Sequence, residues 1–265
     1  MMADVITAVR EVAHAEIMPR FRDAARQRKA DGSIVTEADV AAQRALSGGL
    51  AAIAPVPMVG EEMTQAERDA ALAGSRGAFW CVDPVDGTSN FANGIPFFAV
   101  SVALFESGRP ALGVVYNPAT GELFHARRGA GAWLGDERLP LRPGATRLRE
   151  AIAGADLKRL PKPLAGELAS APPCHSQRNF GASALEWCYL AAGRLDAYVH
   201  GNQQPWDFAA GSLVLEEAGG RCATFDAEDL WAGAFGPRAV IAALDAGTFT
   251  AWREWIHARV RASES

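Results

Sequence analysis

Residues 80–91 read "WCVDPVDGTSNF", and this stretch governs the interpretation of the whole chain. The apolar run 78–82 leads into it and predicts a buried strand. The predicted strand ends in two aspartates, Asp83 and Asp86, which are separated by a proline and a valine and followed by a glycine. An acidic solvent-facing turn before a capped helix would explain the stretch without any chemistry. The other acidic positions in the chain favour a functional site.

The composition is that of an ordinary globular protein. The chain has 265 residues, of which 49% are hydrophobic and 22% are charged. Its formal net charge is −5 and it has no run of Lys or Arg, so it shows no electrostatic signature of nucleic-acid or membrane binding. Charged residues interrupt the N-terminal apolar residues, so we expect neither a signal peptide nor a membrane span. The four scattered cysteines predict reduced thiols in a cytoplasmic protein and no zinc site.

Hydrophobic periodicity and turn residues predict a mixed α and β chain. A first amphipathic helix is expected near the N-terminus, and a second begins at Thr36, with Asp39 completing a capping box. Residues 97–134 predict a β-meander, because their apolar runs are separated by Ser-Gly, Asn-Pro and Gly-Ala-Gly turns. A helix that follows residue 205 is expected to have Asp207 as its N-cap and to stop at two glycines. Residues 151–180 contain four prolines and give no clear pattern.

Several acidic residues stand where a strand ends or a helix begins, namely Asp39, Glu61, Asp83, Asp86 and Asp207. Chain ends of this kind gather at one edge of a layered α/β structure. Two carboxylates about 4 Å apart would repel by on the order of 4 kcal/mol at an effective dielectric of 20. The sequence offers no Lys/Arg cluster nearby to neutralise them. A hard divalent cation such as Mg²⁺, which prefers oxygen ligands, is the natural remedy.

The spacing around Pro84 suits such a site. Proline fixes φ, so the turn can be rigid and can direct the Val85 carbonyl toward a cation. Gly87 permits a tight backbone, and a helix that starts at Thr88 would present free N–H groups to an anion. Cation ligands and an anion-binding backbone within six residues predict a phosphate ester as the substrate.

Four motifs in this order resemble the inositol monophosphatase family. "WCVDPVDGTSNFANGIPFFAVSVAL" (80–104) is similar to the first family signature, and "PWDFAAGSLVLEEAGG" (205–220) is similar to the second. "GEE" (60–62) resembles the glutamate motif that binds metal, and "DGSIVTEAD" (31–39) resembles the N-terminal element. The similarity covers nearly the whole chain.

The resemblance implies a set of metal ligands. Glu61, Asp83 and the Val85 carbonyl would hold a first Mg²⁺, and Asp83, Asp86 and Asp207 would hold a second. A third, weaker ion would lie near Glu61 through waters, which gives two to three ions per site.

The resemblance also implies catalytic and substrate-binding residues. Thr88, paired with Asp39, would orient the attacking water, with Glu61 as a further catalytic residue. Backbone N–H groups of Gly87 and Thr88 would hold phosphate oxygens. Lys29 lies near the site in the layout of this family. The residues expected to contact substrate are Gly87, Thr88, Ser183, Glu186, His200 and Asp207.

At the level of the molecule, the resemblance implies the five-layered α-β-α-β-α sandwich of the inositol monophosphatase and fructose-1,6-bisphosphatase type. Residues 1–265 would form one domain in two halves, 1–140 with most metal ligands and 141–265 with Asp207 and the selectivity residues. Members of the family are commonly cytoplasmic dimers, and inhibition by Li⁺ is expected.

Substrate identity stays open at this level. An ungapped alignment places His200 where inositol-selective members have a glutamate, and His200 could donate, accept or carry positive charge. The activity could therefore be inositol-1-monophosphatase-like, or it could act on histidinol phosphate, a sugar phosphate or 3′-phosphoadenosine 5′-phosphate. A non-enzymatic alternative is a regulatory protein of the same fold that associates with RNA polymerase.

Overall fold

A computed structural model describes residues 1–22, 26–28 and 34–262. The predicted turn at 31–33 and Lys29 lie outside the described residues. The helices in chain order are α1 (Met2–Val12), α2 (Glu37–Ile53), α3 (Gln65–Gly74), α4 (Thr88–Ala92), α5 (Lys162–Ser170), α6 (Ser183–Ala191), α7 (Pro205–Glu217) and α8 (Ala246–Ala262). A π turn at Ala13–Ile17 and a 3₁₀ turn at Met18–Arg20 extend α1, and 3₁₀ turns also occur at Leu148–Glu150 and Leu157–Arg159.

Fourteen strands are present among these residues. They are β1 (Arg26–Arg28), β2 (Ile34–Thr36), β3 (Met58–Gly60), β4 (Ala78–Asp86), β5 (Ala99–Glu106), β6 (Arg109–Asn117), β7 (Glu122–Arg127), β8 (Gly131–Leu134), β9 (Glu137–Arg138), β10 (Ile152–Ala155), β11 (Ser176–Arg178), β12 (Ala197–Gln203), β13 (Arg221–Thr224) and β14 (Arg238–Ala243).

The strands form two mixed sheets and one small hairpin. The seven-stranded sheet has the order β3-β4-β5-β6-β7-β8-β9, in which only β3 and β4 are parallel neighbours. The meander predicted for residues 97–134 is confirmed as β5 to β8, and β9 extends it by one further strand. The five-stranded sheet has the order β11-β10-β12-β14-β13, and its first three strands are parallel. These parallel neighbours were not expected from the sequence, since they join segments that are distant along the chain. β1 pairs with β2.

Three clusters of buried apolar side chains pack the five layers of the fold together. Helices α1 and α2 cover one face of the seven-stranded sheet with side chains such as Val9 and Leu46. Helices α6 and α7 lie between the two sheets, where Trp187 and Phe208 are buried. Helices α5 and α8 cover the far face of the five-stranded sheet, where Trp252 is buried. This order confirms the α-β-α-β-α sandwich.

All four cysteines are free thiols. No helix within the described ranges has the length and apolar character needed to cross a bilayer. The seven-stranded sheet is formed by residues 58–138 and the five-stranded sheet by residues 152–243. The division of the chain into halves at residue 140 stays a prediction.

Candidate metal centre

Glu61 and Asp83 come from the ends of two adjacent parallel strands. The register pairs Gly60 of β3 with Val82 of β4, and the Glu61 N–H donates to the Val82 carbonyl at 3.2 Å. Both residues therefore leave the same edge of the sheet, as the sequence predicted for strand ends.

A bulge in β4 turns both aspartates toward one cavity. Phe79 and Cys81 face the central helical layer, so the two-residue period of the strand also directs Asp83 there. A spacing of three would place Asp86 on the opposite face of a regular strand. The register with β5 shifts by one residue between Asp83 and Asp86, and this bulge accommodates Pro84. The prediction that the strand ends in the two aspartates is confirmed, since the bulge lets β4 continue to Asp86.

Gly87 follows the strand in a conformation that other residues rarely adopt. Its φ is 84°, and a Cβ built there would lie 2.8 Å from the Cβ of Ala182. The prediction of a tight glycine turn is confirmed. Helix α4, which begins at Thr88, has only five residues.

Asp86 also joins the first sheet to helix α6. Its Oδ1 accepts a hydrogen bond from the Ser183 N–H at 3.2 Å, and its Oδ2 accepts one from the Ala184 N–H at 2.7 Å. The residue before the helix is Ala182, which has no capping side chain. A helix start without a polar cap, in a chain rich in site carboxylates, is the sequence signal that could have revealed this contact.

Asp207 lies in the first turn of α7 but is not its N-cap. The helix starts at Pro205, and Gln204 is the N-cap. The predicted N-cap role is wrong because proline is favoured at the first helical position, and the N-cap is therefore Gln204, three residues earlier. Asp207 is instead the third residue of the helix, and its Oδ2 accepts a hydrogen bond from the Gln204 N–H at 2.9 Å.

Three aspartates converge closely enough to share a cation. One carboxylate oxygen from each of Asp83, Asp86 and Asp207 lies within 4.8 Å of the others. Glu61 lines the same cavity, whose volume is about 440 Å³. Asp83 and Asp86 are buried. Four carboxylates around one cavity fit a hard divalent cation, because such a cation prefers oxygen ligands.

The electrostatics of these carboxylates are unfavourable without a cation. Burial raises the pKa of Asp83 well above its ordinary value, and the charges of Glu61, Asp86 and Asp207 raise it further. Burial, followed by the charge of Asp207, does the same to the pKa of Asp86. Burial and Glu61 raise the pKa of Asp207 to about 7. Desolvation and like charge are thus concentrated at one point, as is common at functional sites.

Thr88 and Asp39 form a hydrogen-bonded pair beside the cluster. The Thr88 Oγ lies 3.1 Å from Asp39 Oδ1, to which it can donate. Asp39 Oδ2 accepts from the Thr36 N–H at 2.8 Å and from the Thr36 hydroxyl, which confirms the predicted capping box. Asp39 is fully buried, and burial raises its pKa. The carboxylate is therefore fixed in orientation, and it holds the Thr88 hydroxyl.

Val85 connects these two groups through its backbone. Its N–H donates to Asp83 Oδ1 at 3.0 Å, which fixes that carboxylate. Its carbonyl oxygen lies 3.0 Å from the Thr88 hydroxyl and has a second lone pair. Val85 lines the cavity, as expected for a backbone ligand.

The predicted substrate residues of the second half all line the cavity. They are Ser183, Glu186, His200 and Asp207. Both oxygens of Glu186 are engaged, since one accepts from the Phe180 N–H at 2.8 Å and the other from the Tyr198 hydroxyl at 3.1 Å. Burial raises the pKa of Glu186 to about 7.

His200 is neutral in this environment. Burial, together with the charges of Arg159 and Lys158, lowers its pKa to about 4, although Asp156 acts in the opposite direction. The interpretation that it could carry positive charge near neutral pH is therefore wrong. The Asn202 N–H donates to His200 Nδ1 at 3.2 Å, so the ring proton belongs on Nε2.

The structure corrects one premise of the sequence argument. Lys158 and Arg159 line the same cavity as the carboxylates, whereas the sequence suggested that no cations were near. They arrive through the 3₁₀ turn Leu157–Arg159, which follows β10. Because this placement depends on the parallel pairing of β10 with β12, more than 40 residues later, no local pattern could reveal it.

Comparisons with known proteins agree with this geometry. The sequence model of the inositol monophosphatase family matches residues 2–264. An inositol-1-monophosphatase from Caulobacter vibrioides is 39% identical over 210 residues, which are 76% of this chain and 80% of that protein. A Nus factor SuhB from Pasteurella multocida is 40% identical over 151 residues, which are 56% of this chain and 57% of that protein.

A solved structure shares the whole fold. The IMPase of Thermotoga maritima superposes with a TM-score of 0.82 at 28% sequence identity. The match covers 98% of this chain and 97% of that chain.

Proposed function

Because the chain belongs to the inositol monophosphatase family, we propose that it is a Mg²⁺-dependent phosphomonoesterase that hydrolyses a small phosphorylated alcohol. The observation that carries this proposal is the convergence of Asp83, Asp86 and Asp207 on one point of a cavity that Glu61 and Thr88 also line. Family membership and the acidic cluster together support a divalent metal cofactor.

In this proposal the metal ligands are those that the family resemblance implied. Glu61, Asp83 and the Val85 carbonyl would hold one Mg²⁺, Asp83, Asp86 and Asp207 would hold another, and a third ion would lie near Glu61. Ions in these positions lower the pKa of an attacking water and stabilise negative charge on both sides of the phosphorus.

The residues of the chain itself orient the reactants. The Thr88 hydroxyl donates a hydrogen bond to the Asp39 carboxylate, so its lone pairs are free to accept a hydrogen bond from the attacking water. Asp39 is held by Thr36 and cannot turn away. The Gly87 and Thr88 N–H groups bind phosphate oxygens. This division gives Thr88 and Asp39 the role of positioning the nucleophile.

The test is a panel of phosphate esters with Mg²⁺, read as phosphate release. The panel contains inositol 1-phosphate, histidinol phosphate, a sugar phosphate, 3′-phosphoadenosine 5′-phosphate and nitrophenyl phosphate. We expect hydrolysis of at least one ester, and loss of that activity in Asp207→Asn. Asp136→Asn is the matched control, since Asp136 is an exposed residue in the turn between β8 and β9. Absence of hydrolysis across the panel, or equal loss in both variants, would rule the proposal out.

A second candidate is a regulatory role in association with RNA polymerase. The observation that favours it is the similarity to a protein named Nus factor SuhB. This role does not need the carboxylates. Purified RNA polymerase should then bind the wild type and Asp207→Asn equally well, whereas the phosphatase proposal requires no such binding.

Oligomeric state is a separate question, and light scattering tests the homodimer that the family resemblance implies.

A further inference from the structure

One wall of the cavity is basic, in contrast to the carboxylates opposite. Lys158 and Arg159 line it together with Asp83 and Asp207. The positive charge of Arg159 acts on both sides of the cavity, because it lowers the pKa of Asp207 and also that of His200.

Within the described residues, a carboxylate pairs with only one of these two cations. Within the part of the chain that the structure describes, no hydrogen bond or ion pair engages the Arg159 guanidinium. The Lys158 ammonium lies 3.6 Å from Asp156, and its side chain is 74% exposed. Asp156 is shared, since its Oδ1 accepts from the Asn179 side chain at 3.3 Å. Asp156 therefore pairs with Lys158, and the charge of Arg159 remains for a ligand.

The turn that carries the cations is fixed by close packing. A Cβ on Gly201 of β12 would overlap the Arg159 carbonyl oxygen, because the backbone of the turn rests directly against this glycine. The sheet therefore holds the turn over the cavity.

His200 adds a third donor to this wall. Its Nδ1 accepts from the Asn202 N–H, so a neutral ring presents Nε2–H. That nitrogen lies 3.8 Å from Asp156, beyond hydrogen-bonding distance. Two cations and an N–H donor form a surface that favours an acceptor with negative charge over a hydroxyl.

The cavity has room for a ligand that reaches both walls. Its volume of about 440 Å³ lies in the range that holds a whole small molecule rather than a single phosphate. A phosphate at the carboxylate side would leave the remainder of the substrate against the basic wall.

We propose that Lys158, Arg159 and His200 form a subsite for a second anionic group, so that the preferred substrate is a small phosphate monoester that also carries a carboxylate or a second phosphate. This inference rests on the proposed phosphatase function. It disfavours esters whose remaining part is a neutral polyol, and more strongly those that carry an amine, such as histidinol phosphate.

The experiment compares matched esters. 3-Phosphoglycerate and glycerol 3-phosphate have the same three-carbon chain and differ in a carboxylate, and fructose 1,6-bisphosphate and fructose 1-phosphate differ in a second phosphate. We expect kcat/KM to be about tenfold or more higher for the doubly anionic member of at least one pair, as befits a charged hydrogen bond. The pair that shows the preference identifies the second group as carboxylate or phosphate.

Variants then assign the preference to the basic wall. The double variant Lys158→Gln/Arg159→Gln should reduce the preference to within about threefold, because it removes the charges but keeps polar side chains of similar length. Lys162→Gln is the matched control, since Lys162 is exposed in the same segment and does not line the cavity. It should keep the full preference.

The possible failures are distinct. Hydrolysis without a preference in either pair would overturn the subsite and leave the phosphatase intact. A preference that persists in the double variant would also overturn it. Absence of hydrolysis of every ester, including nitrophenyl phosphate, would overturn the proposed function and the subsite with it.

Discussion

Asp86 and Asp83 lie three residues apart, but their carboxylates have different structural roles. Asp86 accepts two N–H groups from the start of α6, whereas Asp83 accepts one from Val85, two residues away. Both are buried among like charges. Substitution by asparagine removes a negative charge at either position, but only at Asp86 does it also disturb the contacts with α6. Comparing the two variants therefore distinguishes the effect on metal binding from the effect on folding stability.

The first prediction concerns the stability of these variants without metal. Asp83→Asn should stabilise the chelator-treated protein at about pH 8, because it removes a buried charge that neighbouring carboxylates repel. Asp86→Asn places an amide group against an N–H donor of α6, so it should be destabilising relative to Asp83→Asn by about 1–3 kcal/mol. Urea unfolding in excess chelator measures both. Equal stability of the two variants would show that the α6 contacts contribute nothing.

The second prediction concerns Thr88. Removal of the hydroxyl in Thr88→Val should lower kcat by about 10²-fold or more with little change in KM, since orientation of the water matters in the transition state. Thr88→Ser keeps the hydroxyl and should recover most of the rate. Steady-state kinetics on the best ester of the panel make the comparison. If Thr88→Val and Thr88→Ser were equally active, the hydroxyl would have no part in the reaction.

At the scale of elements, Arg68 of α3 connects the two metal-bearing segments. Its Nη1 donates to the carbonyl of Glu61 at 3.3 Å and to that of Met63. Its guanidinium lies 5.1 Å from the ring centroid of Trp206, the residue before Asp207. One side chain therefore holds the Glu61 loop against the start of α7.

The third prediction follows from this contact. Arg68→Met should raise the Mg²⁺ concentration needed for half-maximal activity by about tenfold or more, as is typical when a residue behind a metal ligand is lost. Arg76→Met is the control, because Arg76 is exposed just after α3. A Mg²⁺ titration of activity, with a melting curve to verify folding, gives the answer. A half-saturation that did not change would mean that Glu61 is positioned without Arg68.

An element could be predicted from the sequence when the residues that determine it are neighbours along the chain. Helices α1 and α2 and the β5–β8 meander follow from hydrophobic periodicity and turn residues. Both of these signals depend on residues that are neighbours in the sequence. The bulge at Pro84, the contact of Asp86 with α6 and the approach of Arg159 depend on partners that are distant in sequence. The candidate carboxylates could therefore be named from the sequence, but not the geometry that brings them together.

At the scale of the whole molecule, the site lies where the seven-stranded sheet meets the central helical layer. β4 supplies two aspartates, α7 supplies a third, and Ser101 of β5 donates to the Trp206 carbonyl at 3.1 Å beside it. Charge repulsion at this junction opposes folding of the metal-free protein. Metal binding should therefore stabilise the whole sandwich and not only the site.

The fourth prediction is the pH dependence of that effect. Asp83, Asp86 and Asp207 have raised pKa values in the folded metal-free protein. Their stability contribution is thus full below about pH 4 and is lost as the pH rises through the folded values, which for Asp207 is about 7. His200 shifts in the opposite direction, but its effect ends near its unfolded pKa of 6.5. Between about pH 6.5 and about pH 8.5 the carboxylates should dominate.

The melting temperature in chelator should therefore fall across this window, and Mg²⁺ should reduce the fall. Glu186, whose pKa is about 7, adds a smaller decrease that Mg²⁺ does not remove. Differential scanning fluorimetry with and without Mg²⁺ tests this. A melting temperature that rises with pH in chelator would contradict the electrostatic account of the site.

The most direct test of the central claim is phosphate release by chelator-treated protein as Mg²⁺ is added back. The account predicts no activity in excess chelator and recovery with Mg²⁺ in the wild type and Asp136→Asn. In Asp207→Asn it predicts a turnover about 10²–10³-fold lower at the same Mg²⁺ concentration, which is the typical loss when one such electrostatic group is removed. Full activity in excess chelator, or wild-type turnover in Asp207→Asn at limiting Mg²⁺, would contradict it.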